Sequence, residues 1–245
     1  MRVHLLGTGG YHPNERRHTA CVMLPEAGVV LDAGTAFFRV AGRLATRDLD
    51  IFLSHAHLDH IAGLTYILVP LLSGKLARAR LHSRAETLDA VRTHLFAQPV
   101  FPVMPPYEFR PLGQSVELPG GGVLTHCPLK SHPGGAIGYR IDWPGKSLAY
   151  ITDTAVDGSY TELLRRVDLL IHECNFRDES AALGEKTGHS HTSAVARLAR
   201  EAGVGRLVLT HFDPQHAEDD PIGLYAARAF FPATEIGEDL MEIEL

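Results

Sequence analysis

The sequence predicts an α/β protein in which two β-sheets pack together with helices outside. Three observations support this. Short strand-like runs occur in both halves of the chain, and each set leads into alternating strand and helix segments. The 245 residues, 45% apolar and 21% charged, can bury a large core without cross-links. No internal repeat, low-complexity tract or long linker breaks the pattern, so residues 1–245 are expected to form a single domain.

The elements follow in order. Residues 2–6, 20–24 and 29–31 read as strands separated by turn residues, and 35–45 as a helical stretch. Residues 50–53 form a short apolar strand, 61–72 an apolar helix, 79–82 a strand, and 84–95 a helix with Leu88, Val91 and Leu95 on one face. The proline-rich and aromatic segment 101–112 is expected to be irregular. Strands are expected at 115–118, 136–142 and 147–151. Segments 161–166, 168–172, 192–202 and 206–210 then alternate helix and strand, before a helix at 222–231 and a strand at 234–236.

Composition narrows the function. A net charge of −6 argues against broad nucleic-acid binding, although it leaves room for a local basic groove. The three cysteines, Cys21, Cys127 and Cys174, form no C-x-x-C pair, which argues against a cysteine zinc ribbon and a disulfide framework. The N-terminal MRVHLLGTGG has no signal-peptide run, and no stretch reaches membrane-span length, so a cytoplasmic location is expected. The unusual count is histidine, at 15. Histidine is the commonest metal ligand and titrates nearest neutral pH.

Those histidines are organised. The strand IFL runs directly into Ser54-His55-Ala56-His57-Leu58-Asp59-His60. Four ligand-type side chains so close together pack poorly, and each needs a partner when buried. Alternating histidines on an extended segment can reach one ion, and the following Asp and His a second. Imidazole with carboxylate suits zinc, with manganese or iron as alternatives.

HAHLDH resembles the H-x-H-x-D-H signature of the metallo-β-lactamase fold, and the chain is similar to that superfamily over nearly its whole length. The resemblance is greatest to the ribonuclease Z and phosphodiesterase branch. It is carried by Leu6-Gly7-Thr8-Gly9-Gly10, Leu31-Asp32-Ala33-Gly34-Thr35, Lys130-Ser131-His132 with Gly138-Tyr139-Arg140-Ile141, Ile151-Thr152-Asp153-Thr154, Ile171-His172-Glu173-Cys174, Gly188-His189-Ser190 and Leu209-Thr210-His211-Phe212. It implies a four-layer αββα sandwich holding two divalent metal ions. It implies His55, His57 and His132 on one ion, Asp59, His60 and His211 on the other, Asp153 bridging them, and Asp32 bracing the loop. β-Lactamases usually have cysteine where Asp153 stands, and flavodiiron proteins usually have glutamate where His57 stands. Both are set aside. Glyoxalase II and the lactonases share the histidine signature and are not excluded by it.

Two metals about 4 Å apart would activate water and polarise a phosphoryl oxygen. Asp59 could orient the water. The resemblance offers Glu173 and His189 as the pair that protonates the leaving group, with His191 a second candidate for the acid. Arg16, Arg17 and His18 could hold phosphate or form a solvated loop. Tyr107, Phe109 and Arg110 could contact RNA or form a surface contact. Asp213 and His216, just past the last histidine, are weaker candidates to line the pocket.

Ribonuclease Z usually inserts a long tRNA-gripping arm between its third histidine and bridging aspartate. Here the interval from His132 to Asp153 holds only the hairpin GYRIDWPGKSLAYI. The expected substrate is therefore a small or cyclic phosphodiester or short nucleotide. A tRNA 3′-endonuclease is the alternative, with RNA as partner, followed by a carboxyl-ester or lactone hydrolase and by a non-catalytic metal-binding protein. A homodimer is possible by resemblance, and no membrane partner is expected.

Overall fold

The computed structural model describes residues 1–245. Its first sheet contains β1 (Arg2–Gly7), β2 (Cys21–Leu24), β3 (Val29–Leu31), β4 (Asp48–Phe52), β5 (Arg78–Ser83) and β6 (Glu108–Pro111) in sequence order, with the C-terminal strand Met241–Glu244 on the outer edge of β1. The second contains β7 (Ser115–Leu118), β8 (Gly122–Leu129), β9 (Ala136–Trp143), β10 (Lys146–Ile151), β11 (Leu169–Glu173), β12 (Arg206–Thr210) and β13 (Thr234–Ile236), again in sequence order. The C-terminal strand is β14. Each sheet is antiparallel on one side and parallel on the other, β3 to β6 and β10 to β13 being the parallel runs.

Alternation along the strands produces the layers. In β2, Val22 and Leu24 join the core between the sheets, while Cys21 and Met23 face the outer helices. In β10, Leu148 and Tyr150 face the other sheet, while Ala149 and Ile151 face the helices. Outside the first sheet lie the 3₁₀ segment Thr35–Gly42, α1 (Leu58–Ile61), α2 (Leu68–Leu72) and α3 (Ala85–Ala90). The second sheet is flanked by α4 (Thr161–Leu164), α5 (Ala181–Thr187), α6 (Thr192–Ala202) and α7 (Leu224–Phe230). The architecture is the αββα sandwich. No helix is long and apolar enough to cross a membrane. All three cysteines are unpaired, and Cys21 and Cys174 are buried.

Three local expectations are corrected. The single helix over 61–72 is α1, a 3₁₀ stretch Ala62–Ile67 and α2. Gly63 lies so close to the loop after β3 that a Cβ would sit 2.3 Å from the Gly34 carbonyl oxygen, and its N–H donates to Ala33 O at 2.8 Å. That tertiary contact overrides a regular helix. Segment 101–112 is not wholly irregular, because residues 108–111 pair with β5 as the edge strand β6. Strands β8 and β14 were not expected from the sequence. β14 is formed only by pairing with β1.

Asp50 of β4 is nearly buried beside its register partner Arg80 and beside His82 of β5, at 2.6 and 2.7 Å. Burial opposes its charge, but those two donors hold its carboxyl down to about 2 from 3.8. A depressed carboxyl stabilises above its unfolded pKa, and that contribution is lost as pH falls through the folded value. Asp50→Asn should therefore cost about 2 kcal/mol at neutral pH. The gap from wild type should close as pH falls from about 4 to about 2. Urea unfolding across that range measures it, and a gap independent of pH would rule out the ion pair as its source.

Candidate metal centre

The chemistry-bearing residues gather at the C-terminal ends of strands from both sheets. His55, His57, Asp59 and His60 follow β4, Asp32 follows β3, His132 follows β8, Asp153 follows β10 and His211 follows β12. Rigid strands aim these short connections into one cleft. Asp32, Asp153 and His211 have φ of 58°, 47° and 61°. Left-handed backbone is uncommon for residues with side chains, and here it turns the chain sharply enough to point three of them inward.

Three groups of ligand-type residues result, two of them meeting at Asp153 and a third formed by Glu173, His189 and His211. Ligand atoms of His55, His57, His132 and Asp153 lie within 4.8 Å of one another, as do those of Asp59, His60, Asp153 and His211. Asp153 belongs to both. In the second cluster His60 Nε2 and His211 Nε2 are 3.3 Å apart, and Asp153 Oδ1 lies 3.1 and 3.2 Å from them. Asp59 Oδ2 lies 3.3 and 3.4 Å from the same two nitrogens. A tetrahedral zinc with bonds of about 2.0–2.1 Å has edges of about 3.3–3.4 Å. In the first cluster His132 Nε2 is 3.1 Å from His57 Nδ1, and His55 Nε2 is buried with no hydrogen-bond partner. The donor set and its spacing fit two divalent cations.

The surrounding residues orient the cluster. Asp32 is fully buried and accepts from His60 Nδ1 at 2.8 Å, Ser54 N at 2.7 Å, Ser54 Oγ at 2.8 Å and Tyr150 OH at 2.9 Å. That bond fixes the His60 proton on Nδ1 and turns Nε2 into the cluster. Tyr11 N donates to Asp59 Oδ2 at 2.8 Å. Burial opposes charge on His60, yet Asp153, Asp59 and Asp32 hold its pKa well above the ordinary value. Burial, with His60 beside it, pushes His55 well below. Three carboxylates converging on buried imidazoles form a site that favours positive charge.

Glu173, at the end of β11, is also fully buried. It accepts from Thr154 N at 2.8 Å, His189 Nδ1 at 3.0 Å, and Asn175 N and Ser190 N at 3.2 Å each. Burial works against the charged imidazole, but Glu173, helped by the Asp153 and Asp59 carboxylates, raises His189 to about 9. The His189 ring lies 4.8 Å from His132 and 5.5 Å from His211. Gly188 places it there. Gly188 has φ of 77°, and a Cβ on it would fall 2.4 Å from Ser131 O, so the turn presses against the His132 loop. His191 does not join the cluster. Its Nδ1 is 2.7 Å from Asp178, and it lines a different cavity with Ser193 and Arg197. Its own carboxylate partner draws it away.

The cavity over the cluster, about 380 Å³, is lined by His57, Asp59, His132, Asp153, His189 and His211, together with Tyr11, Asn175, Phe176, Thr187 and Asp213–Gln215. His216 is not among them, whereas Asp213 is. Tyr11, Asn175 and Gln215 were not anticipated, and no motif marks them. Tyr150 and Ser54 were also missed as orienting residues, since their role depends on contact with Asp32.

The arginine candidates lie elsewhere. Arg17 is 1% exposed and donates to Thr8 Oγ1 and Gly237 O at 2.7 Å each and to Glu238 at 2.9 Å, while stacking over Phe212 at 4.7 Å. Arg16 pairs with Asp219 and Glu238, and His18 with Thr35. None of the three lines the cavity. Arg17→Met should therefore cost about 2–3 kcal/mol in urea unfolding through lost buried pairing, with KM for a phosphodiester unchanged. A raised KM at full stability would restore the phosphate-binding reading. Tyr107 is likewise buried, donating to Leu64 O at 2.7 Å, Phe109 lies under Arg92 at 4.1 Å, and Arg110 pairs with Glu108. Tyr107 is thus a core residue, while Phe109 and Arg110 make contacts on the edge strand β6.

The family model of the Beta-lactamase superfamily domain matches residues 28–212. The chain belongs to the metallo-β-lactamase superfamily. It is a metal-dependent hydrolase of that superfamily, with two candidate metal clusters. It is 28% identical to "Ribonuclease Z" of Methanosarcina acetivorans over 306 residues, covering 100% of this chain and 98% of the relative. It is 29% identical to "Ribonuclease Z" of Synechococcus sp. (strain WH7803) over 313 residues, covering 100% and 96%. Both alignments are longer than the 245 residues of this chain, so each relative carries segments absent here. Among solved structures, the metallo-β-lactamase fold protein YhfI from Bacillus subtilis superposes with a TM-score of 0.81 at 21% identity, covering 99% of each chain.

Proposed function

We propose that this chain is a phosphodiesterase of the ribonuclease Z type, with RNA as the first substrate class to test. The observation that carries the reaction class is the Glu173–His189 pair, held 3.0 Å apart with the imidazole ring 4.8 Å from His132. The curated relatives favour RNA over the small phosphodiester that the sequence put first.

Two divalent cations held by His55, His57, His132 and Asp153 and by Asp59, His60, Asp153 and His211 would supply activated water and a polarised phosphoryl oxygen. The chain supplies the rest. Asp153 contributes one carboxylate to both clusters and fixes their separation. Asp32 holds the His60 tautomer. His189 Nδ1 is committed to Glu173, which leaves Nε2 of a cavity-lining imidazole free to protonate the departing oxygen. The Glu173 carboxylate favours the protonated imidazole, the form that can donate.

One observation favours the second reading, a small or cyclic phosphodiester. Strands β9 and β10 close through Pro144-Gly145 alone, and no arm stands between His132 and Asp153. The deciding assay compares three substrates with metal-analysed protein: bis-p-nitrophenyl phosphate, an RNA hairpin with a 3′ trailer, and a cyclic dinucleotide. Cleavage of the trailer supports the first reading. Turnover of the small diesters without it supports the second. Two bound metals with no diester turnover would defeat both, and would move the site toward carboxyl esters, lactones or metal binding alone.

A further inference from the structure

A second cavity, about 220 Å³, shares His57 with the main cleft as a lining residue. It is bounded by Arg84, Glu86 and Thr87 on one side and by Gly134 and Gly135 on the other. The main cleft has no lysine or arginine in its lining, so Arg84 is the one residue of either type lining the two cavities.

Arg84 is not spent on an ion pair. Its neighbour Arg80 binds Asp50 bidentately, at 2.6 and 2.7 Å, whereas Arg84 has no carboxylate within 4.0 Å. Nη2 donates to Gly135 O at 3.0 Å and Gly134 O at 3.4 Å. Nε is buried without a partner, and Nη1 makes no hydrogen bond. The two glycine carbonyls hold Nη2, and Nη1 is the nitrogen left to donate to a phosphate oxygen through a charge-assisted bond. Glu86 opposes an anion here and moderates its binding.

We propose that Arg84 forms a second phosphate subsite, which makes the substrate a nucleotide with a further phosphate next to the scissile one. This rests on the phosphodiesterase reading of the main cleft. Because His57 lines both cavities, the proposal puts both phosphates on one molecule. The neighbouring phosphate can belong to a polynucleotide backbone or to a small bisphosphate.

Calorimetry on the metal-loaded protein tests this without turnover, using adenosine 3′,5′-bisphosphate against adenosine 5′-monophosphate. The bisphosphate should bind roughly ten- to hundredfold more tightly to wild type. Arg84→Ala should abolish that ratio, Arg84→Lys should keep part of it, and Glu86→Gln should widen it. The opposite sign of the Glu86 variant separates an anion subsite from simple damage to the His132 loop. A short single-stranded RNA that displaces the bisphosphate identifies the backbone as the source, and failure to displace it identifies a small bisphosphate. A wild-type ratio near one, or a ratio that survives Arg84→Ala, overturns the proposal. Failure of the phosphodiesterase reading would show separately, as absent turnover of bis-p-nitrophenyl phosphate with the binding ratio intact.

Discussion

Asp153→Ala should lower hydrolysis of bis-p-nitrophenyl phosphate at least roughly a thousandfold and should leave the protein short of its second metal equivalent. Asp153 is the one residue common to both clusters. Oδ1 stands 3.1 and 3.2 Å from His60 and His211, and Oδ2 3.6 Å from both His55 and His132. Alanine removes a ligand atom from each cluster, leaving the His55, His57 and His132 nitrogens with no carboxylate among them and Asp59 alone beside His60 and His211. Buried imidazoles in that arrangement repel when protonated and waste their acceptors when neutral. Metal content by elemental analysis, read with kcat/KM, separates loss of metal from loss of chemistry. A folded variant that keeps two metals and more than a tenth of the activity would sink the shared-carboxylate assignment.

His189→Ala should show a dependence on leaving group. On a dinucleotide, whose departing alkoxide needs a proton, kcat should fall by roughly 10²–10⁴. On bis-p-nitrophenyl phosphate, whose phenolate leaves without help, the loss should stay under about tenfold. Glu173→Gln keeps the shape but removes the charge that raises the imidazole to about 9, and should follow the same pattern less steeply. His191→Ala should change neither substrate, since that residue is held by Asp178 beside another cavity. Equal losses on both substrates would remove His189 from proton transfer and make it a binding or structural group.

These outcomes bear on substrate size. The cleft over the metal clusters has histidines and carboxylates but no lysine or arginine of its own. Arg16 and Arg17, expected as possible phosphate contacts, are neutralised by Glu238 and Asp219. Long RNA would have to be held outside this cleft. The Arg84 subsite would extend recognition by one phosphate, which suits either a short RNA end or a compact nucleotide.

The amino-acid sequence by itself determined most of the order of elements and the HAHLDH cluster, because both are local in character. Apolar runs mark most strands and HAHLDH follows one directly, whereas His132, Asp153 and His211 were reached through the family resemblance, and the strand β8 before His132 was not marked. Four ligand side chains within six residues need no partner from elsewhere to be recognised. The tertiary structure decided everything that depends on which distant group a side chain meets. His189 and His191 share parity in an extended segment, so periodicity could not separate them. Glu173 at 3.0 Å and Asp178 at 2.7 Å did. Arg17 and Arg84 are alike as residues. One is buried against Glu238, the other is left without a carboxylate, and only the packing of remote strands and loops makes that difference. Gly63 broke a helix that its neighbours favour because the loop after β3 lies against it. Local pattern sets what a segment can form, while burial and the long-range partner it imposes set what each charged side chain does there.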